Sequence, residues 1–165
     1  MYTYIKNILV VICILVAGLS DVAAQNDTCN VQSYVRADGV LIRGVDFEPI
    51  FKNDSIQISA AMYTIDKDYY LVLRIEGDKK LYKYNNDLAI QFSDSTVILL
   101  PFDSNKDDRS KKMYESYFKI NNDGMGYIER YTVERFIYTV NGVRKNLMIQ
   151  RKHILQRHFA CLRKN

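Results

Sequence analysis

Residues 55–76 read SIQISAAMYTIDKDYYLVLRIE, and this stretch decides the fold class. Apolar side chains alternate with polar ones from Ile56 onward, which is the pattern of a half-buried β-strand. Residues 66–68, DKD, interrupt the alternation with turn-forming side chains, and residues 69–76 return as a run of β-branched and aromatic residues. The stretch therefore predicts two neighbouring antiparallel strands joined by a tight turn.

The sequence on either side repeats short strand patterns that are separated by clusters of Asn, Asp, Ser and Gly. These patterns predict strands at residues 31–37, 40–45, 81–84, 88–92, 96–100 and 113–120. Asp38-Gly39 is a strong signal for a two-residue hairpin between the first two of these strands. We expect loops at 47–53, which contains Pro49, and at the polar stretch 103–112, and a turn at 121–126.

Residues 132–140 fit two structures. Val133, Phe136 and Val140 share one helical face, which favours a short helix, and this is the interpretation we adopt. Alternate residues from 136 to 140 are also apolar, and the Asn-Gly pair that follows them is a hairpin signal. A strand therefore stays open as the alternative.

The last predicted element is an amphipathic helix over residues 153–164, because Leu155, Phe159 and Leu162 form an apolar stripe at helical spacing. Together the elements predict a mainly β (α+β) fold. We expect an antiparallel β-sandwich or a curved sheet of about eight strands, with this C-terminal helix packed against it. The length of residues 25–165 fits a single domain.

The N-terminus has the features of a cleaved signal peptide. Lys6 provides a positive charge, residues 8–19 form an apolar run, and Val22-Ala23-Ala24 fits the small-residue recognition of signal peptidase. We therefore expect residues 1–24 to be removed by cleavage between Ala24 and Gln25. No cysteine follows a lipoprotein-type box, so we expect a free secreted or periplasmic protein with no transmembrane span in its mature part.

Two cysteines remain after this cleavage, Cys29 and Cys161, near the two ends of the mature chain. In an oxidising compartment such a pair predicts one disulfide that ties the termini together. Two separate thiols, one of them buried, are the alternative.

The formal net charge of the 165-residue chain is +4, and it is unevenly distributed. Residues 143–165 contain no acid, whereas residues 25–142 carry more acids than bases. The basic residues of this C-terminal end are Arg144, Lys145, Arg151, Lys152, Arg157, Arg163 and Lys164. They could form a surface for an anionic partner such as an anionic glycan. The favoured interpretation is a solvated face that partly neutralises its own acidic body, and export makes nucleic acid the least expected partner.

The sequence contains no motif that assigns an enzymatic reaction. The only histidines, His153 and His158, are five residues apart on the predicted helix, so they cannot share a metal, and we expect both at the surface or at a helix edge. The D-x-N-x-D pattern from Asp103 to Asp107 lacks the glycine and glutamate of a calcium loop. No nucleotide-binding or zinc spacing occurs, so we expect no cofactor and no metal.

Hydrolysis by a pair of carboxylates stays open, because a fold can bring together acids that are distant in sequence. Nothing marks a pair among the candidates Glu48, Glu76, Glu115, Glu129 and Glu134. The chain has thirteen tyrosines and no tryptophan, and sheet packing explains most of the tyrosines, with a tyrosine-lined binding face as the alternative.

The favoured function is a non-catalytic, exported β-rich domain that binds an envelope protein or another envelope component. An enzyme is the less favoured class. The alternatives are a small secreted hydrolase that uses a carboxylate pair, and a periplasmic inhibitor or immunity protein.

Overall fold

The computed structural model describes residues 29–77, 86–108, 113–140 and 143–164. The signal peptide expected at residues 1–24, its cleavage site between Ala24 and Gln25, and the strand expected at 81–84 lie outside these ranges. The described strands are β1 (Val31–Val35), β2 (Leu41–Val45), β3 (Glu48–Lys52), β4 (Ile56–Ile65), β5 (Asp68–Gly77), β6 (Leu88–Phe92), β7 (Val97–Leu100), β8 (Phe102–Asp108), β9 (Met113–Ile120), β10 (Val133–Val140) and β11 (Val143–Met148). The described helices are α1 (Asn122–Arg130) and α2 (Ile154–Lys164).

The larger sheet has seven strands, with β1, β2, β4, β5, β9 and β8 side by side and β3 paired to β4. Its centre is the predicted hairpin of β4 and β5, in which the two ten-residue strands pair along their whole length. Asp66 adopts a left-handed backbone with φ 56° in the turn between them. The two strands predicted from residues 55–76 are thus confirmed.

Strands β2 and β3 follow one another along the same edge of β4. Gly44 lies opposite Tyr63 and Glu48 lies opposite Ala60, so the edge contains one more residue than β4 between these pairs. Such a bulge re-aims side chains. The prediction of a loop at 47–53 is wrong, because residues 48–52 form strand β3. A proline is tolerated here because β3 lies at the edge of the sheet.

The smaller sheet has the order β11-β10-β6-β7. The short helix expected at 132–140 is wrong, because this segment is β10, paired with β6 on one side and β11 on the other. Its β-branched and aromatic residues suit a strand, and the two neighbouring strands supply partners that local helical spacing does not reveal. Val140 lies opposite Val143, as the hairpin alternative requires.

Two further local expectations are wrong. The loop expected at 103–112 begins as β8, which pairs with β9. The turn expected at 121–126 is the start of helix α1, where the Asn121 side chain accepts a hydrogen bond of 2.8 Å from the backbone N–H of Gly124. Asn favours both turns and helix N-termini, and here the N-terminal capping role prevails.

The core lies between the two sheets and is closed by α2, which packs against β4 and β2. The predicted apolar stripe of α2 is buried, and the Phe159 ring lies 5.5 Å from the Tyr69 ring. The disulfide between Cys29 and Cys161 is present, with 5.3 Å between the two Cα atoms. The mainly β (α+β) prediction is therefore confirmed, with eleven described strands rather than about eight.

The helices found in the described residues are too short and too polar to cross a membrane.

Candidate functional site

The face of the seven-stranded sheet that points away from the core carries a cluster of tyrosines and charged residues. Alternation along the strands directs Ala60 and Leu73 into the core, and it directs Tyr63, Arg74 and Glu115 to the opposite, outer face. The groove on this outer face has a volume of about 320 Å³. Its lining residues are Tyr34, Arg36, Ile42, Tyr63, Ile65, Arg74, Lys106, Glu115 and Tyr117.

A buried ion pair forms the floor of this groove. Arg74 donates hydrogen bonds of 2.9 and 2.7 Å to Oε1 of Glu115, whose side chain is only 7% exposed. The Tyr117 hydroxyl donates to Oε2 of the same carboxylate at 3.0 Å. Both oxygens of Glu115 are thus hydrogen-bonded, which is what a buried carboxylate requires.

Phe47 stacks on the guanidinium of Arg74. The guanidinium carbon of Arg74 lies 3.5 Å from the centroid of the Phe47 ring, and that ring lies 6.2 Å from the ring of Tyr63. The bulge between β2 and β3 brings Phe47 to the outer face while its neighbour Glu48 contacts α2. A stacked guanidinium with a fixed carboxylate keeps its orientation before any ligand arrives.

The hydroxyls of Tyr63 and Tyr117 are protonated at neutral pH. Burial, followed by the negative charge of Glu115, raises the pKa of Tyr63 and of Tyr117. The hydroxyls of Tyr34 and Tyr63 form no hydrogen bond with any residue in the described ranges. They therefore remain available to donate to or accept from a ligand.

The basic surface expected from the sequence is largely neutralised by the protein itself. Arg157 pairs with both oxygens of Glu48, and Arg151 lies 3.3 Å from the same carboxylate. Lys152 pairs with Glu134.

Arg163 of the same basic surface pairs with Glu129. Within the described part of the chain, Arg144, Lys145 and Lys164 are the basic residues of this set without an ion pair. Four of the seven residues therefore pair with acids of the same chain. A hollow of about 730 Å³ lies beside the start of α2, and its lining includes four residues that are already paired, Glu129, Arg151, Lys152 and Arg157.

We expected His158 at the surface or at a helix edge, and this expectation is wrong. Helix α2 directs the side chain into the protein, where it is fully buried. Its Nε2 lies 3.0 Å from Oε1 of Glu48. Burial lowers the pKa of His158, and the opposing attraction of Glu48 does not fully compensate. Burial alone would raise the pKa of Glu48, but the hydrogen bonds and charges of His158 and Arg157 outweigh it, so this pKa is lowered. His153 is exposed, as expected.

Most of the carboxylates considered for hydrolysis form ion pairs with basic side chains. Arginine or lysine pairs with Glu48, Glu115, Glu129 and Glu134. The calcium-like residues Asp103, Asn105 and Asp107 lie in the extended strand β8 instead of a loop. Among the described residues, no group of three or more His, Cys, Asp or Glu side chains is placed to hold a metal ion.

Sequence reasoning did not single out the groove, although it named Glu115 among the carboxylates and considered a tyrosine-lined face as an alternative. Tyr34, Arg36, Arg74 and Lys106 were not singled out at all. Their shared face depends on the pairing of six strands, which no local pattern encodes. A weak signal existed in the alternation of Tyr63, Arg74 and Tyr117 with apolar neighbours along their strands.

No protein-family model, curated protein or solved structure matches this chain. The function is therefore argued from the geometry of these two surfaces.

Proposed function

We propose that this chain is an exported, non-catalytic domain that binds an envelope protein or another envelope component in the outer-face groove. The observation that carries the proposal is the group formed by Tyr34, Tyr63 and Tyr117 around the fixed Arg74–Glu115 pair. It combines aromatic surface, a preorganised ion pair, and the hydroxyls of Tyr34 and Tyr63, which have no partner among the described residues. Such a combination in one concavity is typical of a binding site.

Export is supported by two features of the chain. The leader resembles a signal peptide in its charge, its apolar run and its Val22-Ala23-Ala24 box. The Cys29–Cys161 disulfide fits an oxidising compartment such as the periplasm or the exterior. Intact-mass measurement of the exported protein is expected to give a chain that begins at Gln25, and a full-length chain confined to the cytoplasm would contradict export.

The absence of catalysis is supported by the state of the carboxylates. A glycoside hydrolase needs one carboxyl group that stays protonated, which requires a raised pKa. The pKa of Glu48 is shifted in the opposite direction, and Glu115 accepts hydrogen bonds from Arg74 and Tyr117 at both oxygens. These groups suit charge pairing and positioning better than proton transfer.

An inhibitor or immunity role is the second candidate. The β1–β2 hairpin presents Tyr34, an aromatic side chain that is 56% exposed, at the rim of the groove. Exposed apolar side chains of this size are common where a protein partner docks. In this role the groove would hold an aromatic or acidic side chain of that partner.

The two neighbours Tyr34 and Val35 provide the test of the proposed site. They are similarly exposed on one strand but point to opposite faces, so their alanine variants are matched. Binding of the mature protein to polysaccharide and protein fractions of the envelope is measured for wild type, Tyr34→Ala and Val35→Ala. We expect binding to be lost in Tyr34→Ala and kept in Val35→Ala. Equal binding by both variants to every fraction would contradict the groove as the site.

A further inference from the structure

We infer that the groove binds an acidic saccharide, in which a sugar ring packs on the tyrosines and a carboxylate contacts Lys106. This inference rests on the proposed function and names the ligand class for the same site. It is based on the charge, the ring faces and the floor of the groove.

The charge of the groove favours an anion with a single negative group. Arg74 is neutralised by Glu115, and Arg36 is paired with Asp38. Lys106 lies opposite Glu115 in the β8–β9 register and forms no ion pair with any described residue. A single cation that is unpaired among the described residues fits one carboxylate better than a polyphosphate, which requires several free basic groups.

The walls of the groove favour a ring-shaped ligand that has an apolar face and polar groups at its edge. Tyrosine presents an aromatic face and a hydroxyl, so it can pack against the C–H face of a sugar ring and hydrogen-bond the ring hydroxyls. Tyr34 and Tyr63 have hydroxyls without a partner in the described residues, and Tyr117 can still accept a hydrogen bond. The volume of about 320 Å³ lies at the lower end of small-molecule pockets, so it suits a short part of a longer chain.

The floor of the groove disfavours an extended peptide. A peptide that binds a sheet as an added strand needs free backbone N–H and C=O groups at an edge. The floor is made by β4, β5 and β9, which have paired neighbours on both sides. A ligand on this floor is contacted by side chains, because the backbone groups of these strands are used within the sheet. This arrangement suits a saccharide better than an added peptide strand.

The test is calorimetric titration of the mature, disulfide-bonded protein. The probe is a hexamer of 1,4-linked galacturonic acid, and the matched neutral probe is a hexamer of 1,4-linked galactose. We expect the acidic hexamer to bind roughly tenfold more tightly, because the carboxylate adds a charge-assisted hydrogen bond. Lys106→Ala is expected to reduce its affinity to that of the neutral hexamer. Tyr34→Ala is expected to weaken both probes by roughly tenfold.

Two variants control for general effects on charge and stability. Lys145→Ala removes a lysine of the smaller sheet that forms no ion pair with any described residue, and Val35→Ala shortens the exposed neighbour of Tyr34. Both variants are expected to bind like wild type. Equal affinity for the two hexamers, no binding of either, or loss of binding in Lys145→Ala would overturn the saccharide inference. If neither hexamer binds but an envelope protein is retained by Val35→Ala and lost by Tyr34→Ala, the saccharide inference fails while the proposed function stands.

Discussion

Gly44 lies directly beneath the ring of Tyr63: a Cβ atom placed on Gly44 would come within 2.4 Å of Tyr63 Cε1. The two residues are opposite each other in the register of β2 and β4. The glycine therefore leaves the space in which the tyrosine lies flat over its neighbouring strand. This close approach gives the groove one of its aromatic walls.

The first prediction concerns this close approach. Gly44→Ala is expected to push the Tyr63 ring into the groove, because the new methyl group and the ring cannot occupy the same space. Binding of the acidic hexamer should fall at least tenfold, while the free energy of unfolding falls by only about 1 kcal/mol, since the ring can turn toward solvent. Calorimetry and urea unfolding measure the two quantities.

A Gly39→Ala variant in the β1–β2 turn is a poor control because its φ is +85°, so the double variant Gly44→Ala/Tyr63→Ala serves instead. If Gly44→Ala binds normally, or if it destabilises the Tyr63→Ala protein as much as it destabilises wild type, the steric account is wrong.

The second prediction concerns the pair on the floor of the groove. Arg74→Leu leaves the buried Glu115 carboxylate without its cation and should lower the free energy of unfolding by about 2–3 kcal/mol. Arg74→Leu/Glu115→Leu should recover most of this loss, because no uncompensated charge is then buried. Urea unfolding of both variants at pH 7 checks this. A double variant that is less stable than the single one would show that the carboxylate stabilises the fold in some other way.

The third prediction concerns pH. The pKa of His158 is lowered from 6.5 and that of Glu48 from 4.5 in the folded protein, so the unfolded chain binds more protons at both residues. Stability should therefore fall as the pH drops below about 6.5, where unfolded His158 takes up a proton, and fall further below about 4.5 as Glu48 is protonated. Urea unfolding from pH 8 to about pH 3 measures both steps.

A histidine variant identifies the first of these steps. His158→Gln should lower stability at pH 8 by about 1–3 kcal/mol, because a fully buried ring is replaced, and should remove the step that begins below about pH 6.5. His153→Gln changes an exposed histidine and should retain that step. The opposite outcome, in which only His153→Gln removes the step, would refute the assignment to His158.

The fourth prediction concerns the disulfide. Cys29 and Cys161 are separated by 132 residues, and in the chain-entropy model a cross-link over such a loop contributes about 5 kcal/mol. Cys161→Ser should lose much of this and should mainly loosen residues 151–164, so that trypsin cuts the basic C-terminal end first. Hydrogen exchange and limited proteolysis, with reduced wild type as the comparison, test this. Uniform loosening of both sheets would show that the bond does more than anchor α2.

The elements with a strong local pattern were predicted well. The β4–β5 hairpin, the C-terminal helix and the strands at 88–92 and 113–120 follow from alternation, helical spacing and turn residues. The errors arose where partners distant in sequence decide the structure. Strand β10 has helical spacing as well as alternation, and only its pairing with β6 and β11 decides between them. Strand β3 contains a proline that only an edge position tolerates.

The candidate site was less predictable than the fold. The pairing of Cys29 with Cys161 followed from the number of cysteines and their compartment. The pairing of Arg74 with Glu115 depends on the β5–β9 register, and the burial of His158 depends on which face of α2 meets β3. The sequence therefore indicated tyrosines and acids as residue types, but it did not indicate which of them meet.

The central claim is that the partner is held on the outer face of the larger sheet, and hydroxyl-radical footprinting tests it most directly. The mature protein is footprinted with and without the acidic hexamer or the envelope fraction that it retains. Tyr34, which is 56% exposed, reports on the groove, and Met148, which is equally exposed, reports on the basic end near Lys145. The account predicts protection of Tyr34 with Met148 unchanged. Protection of Met148 with Tyr34 unchanged would contradict it and assign the binding to the basic C-terminal surface.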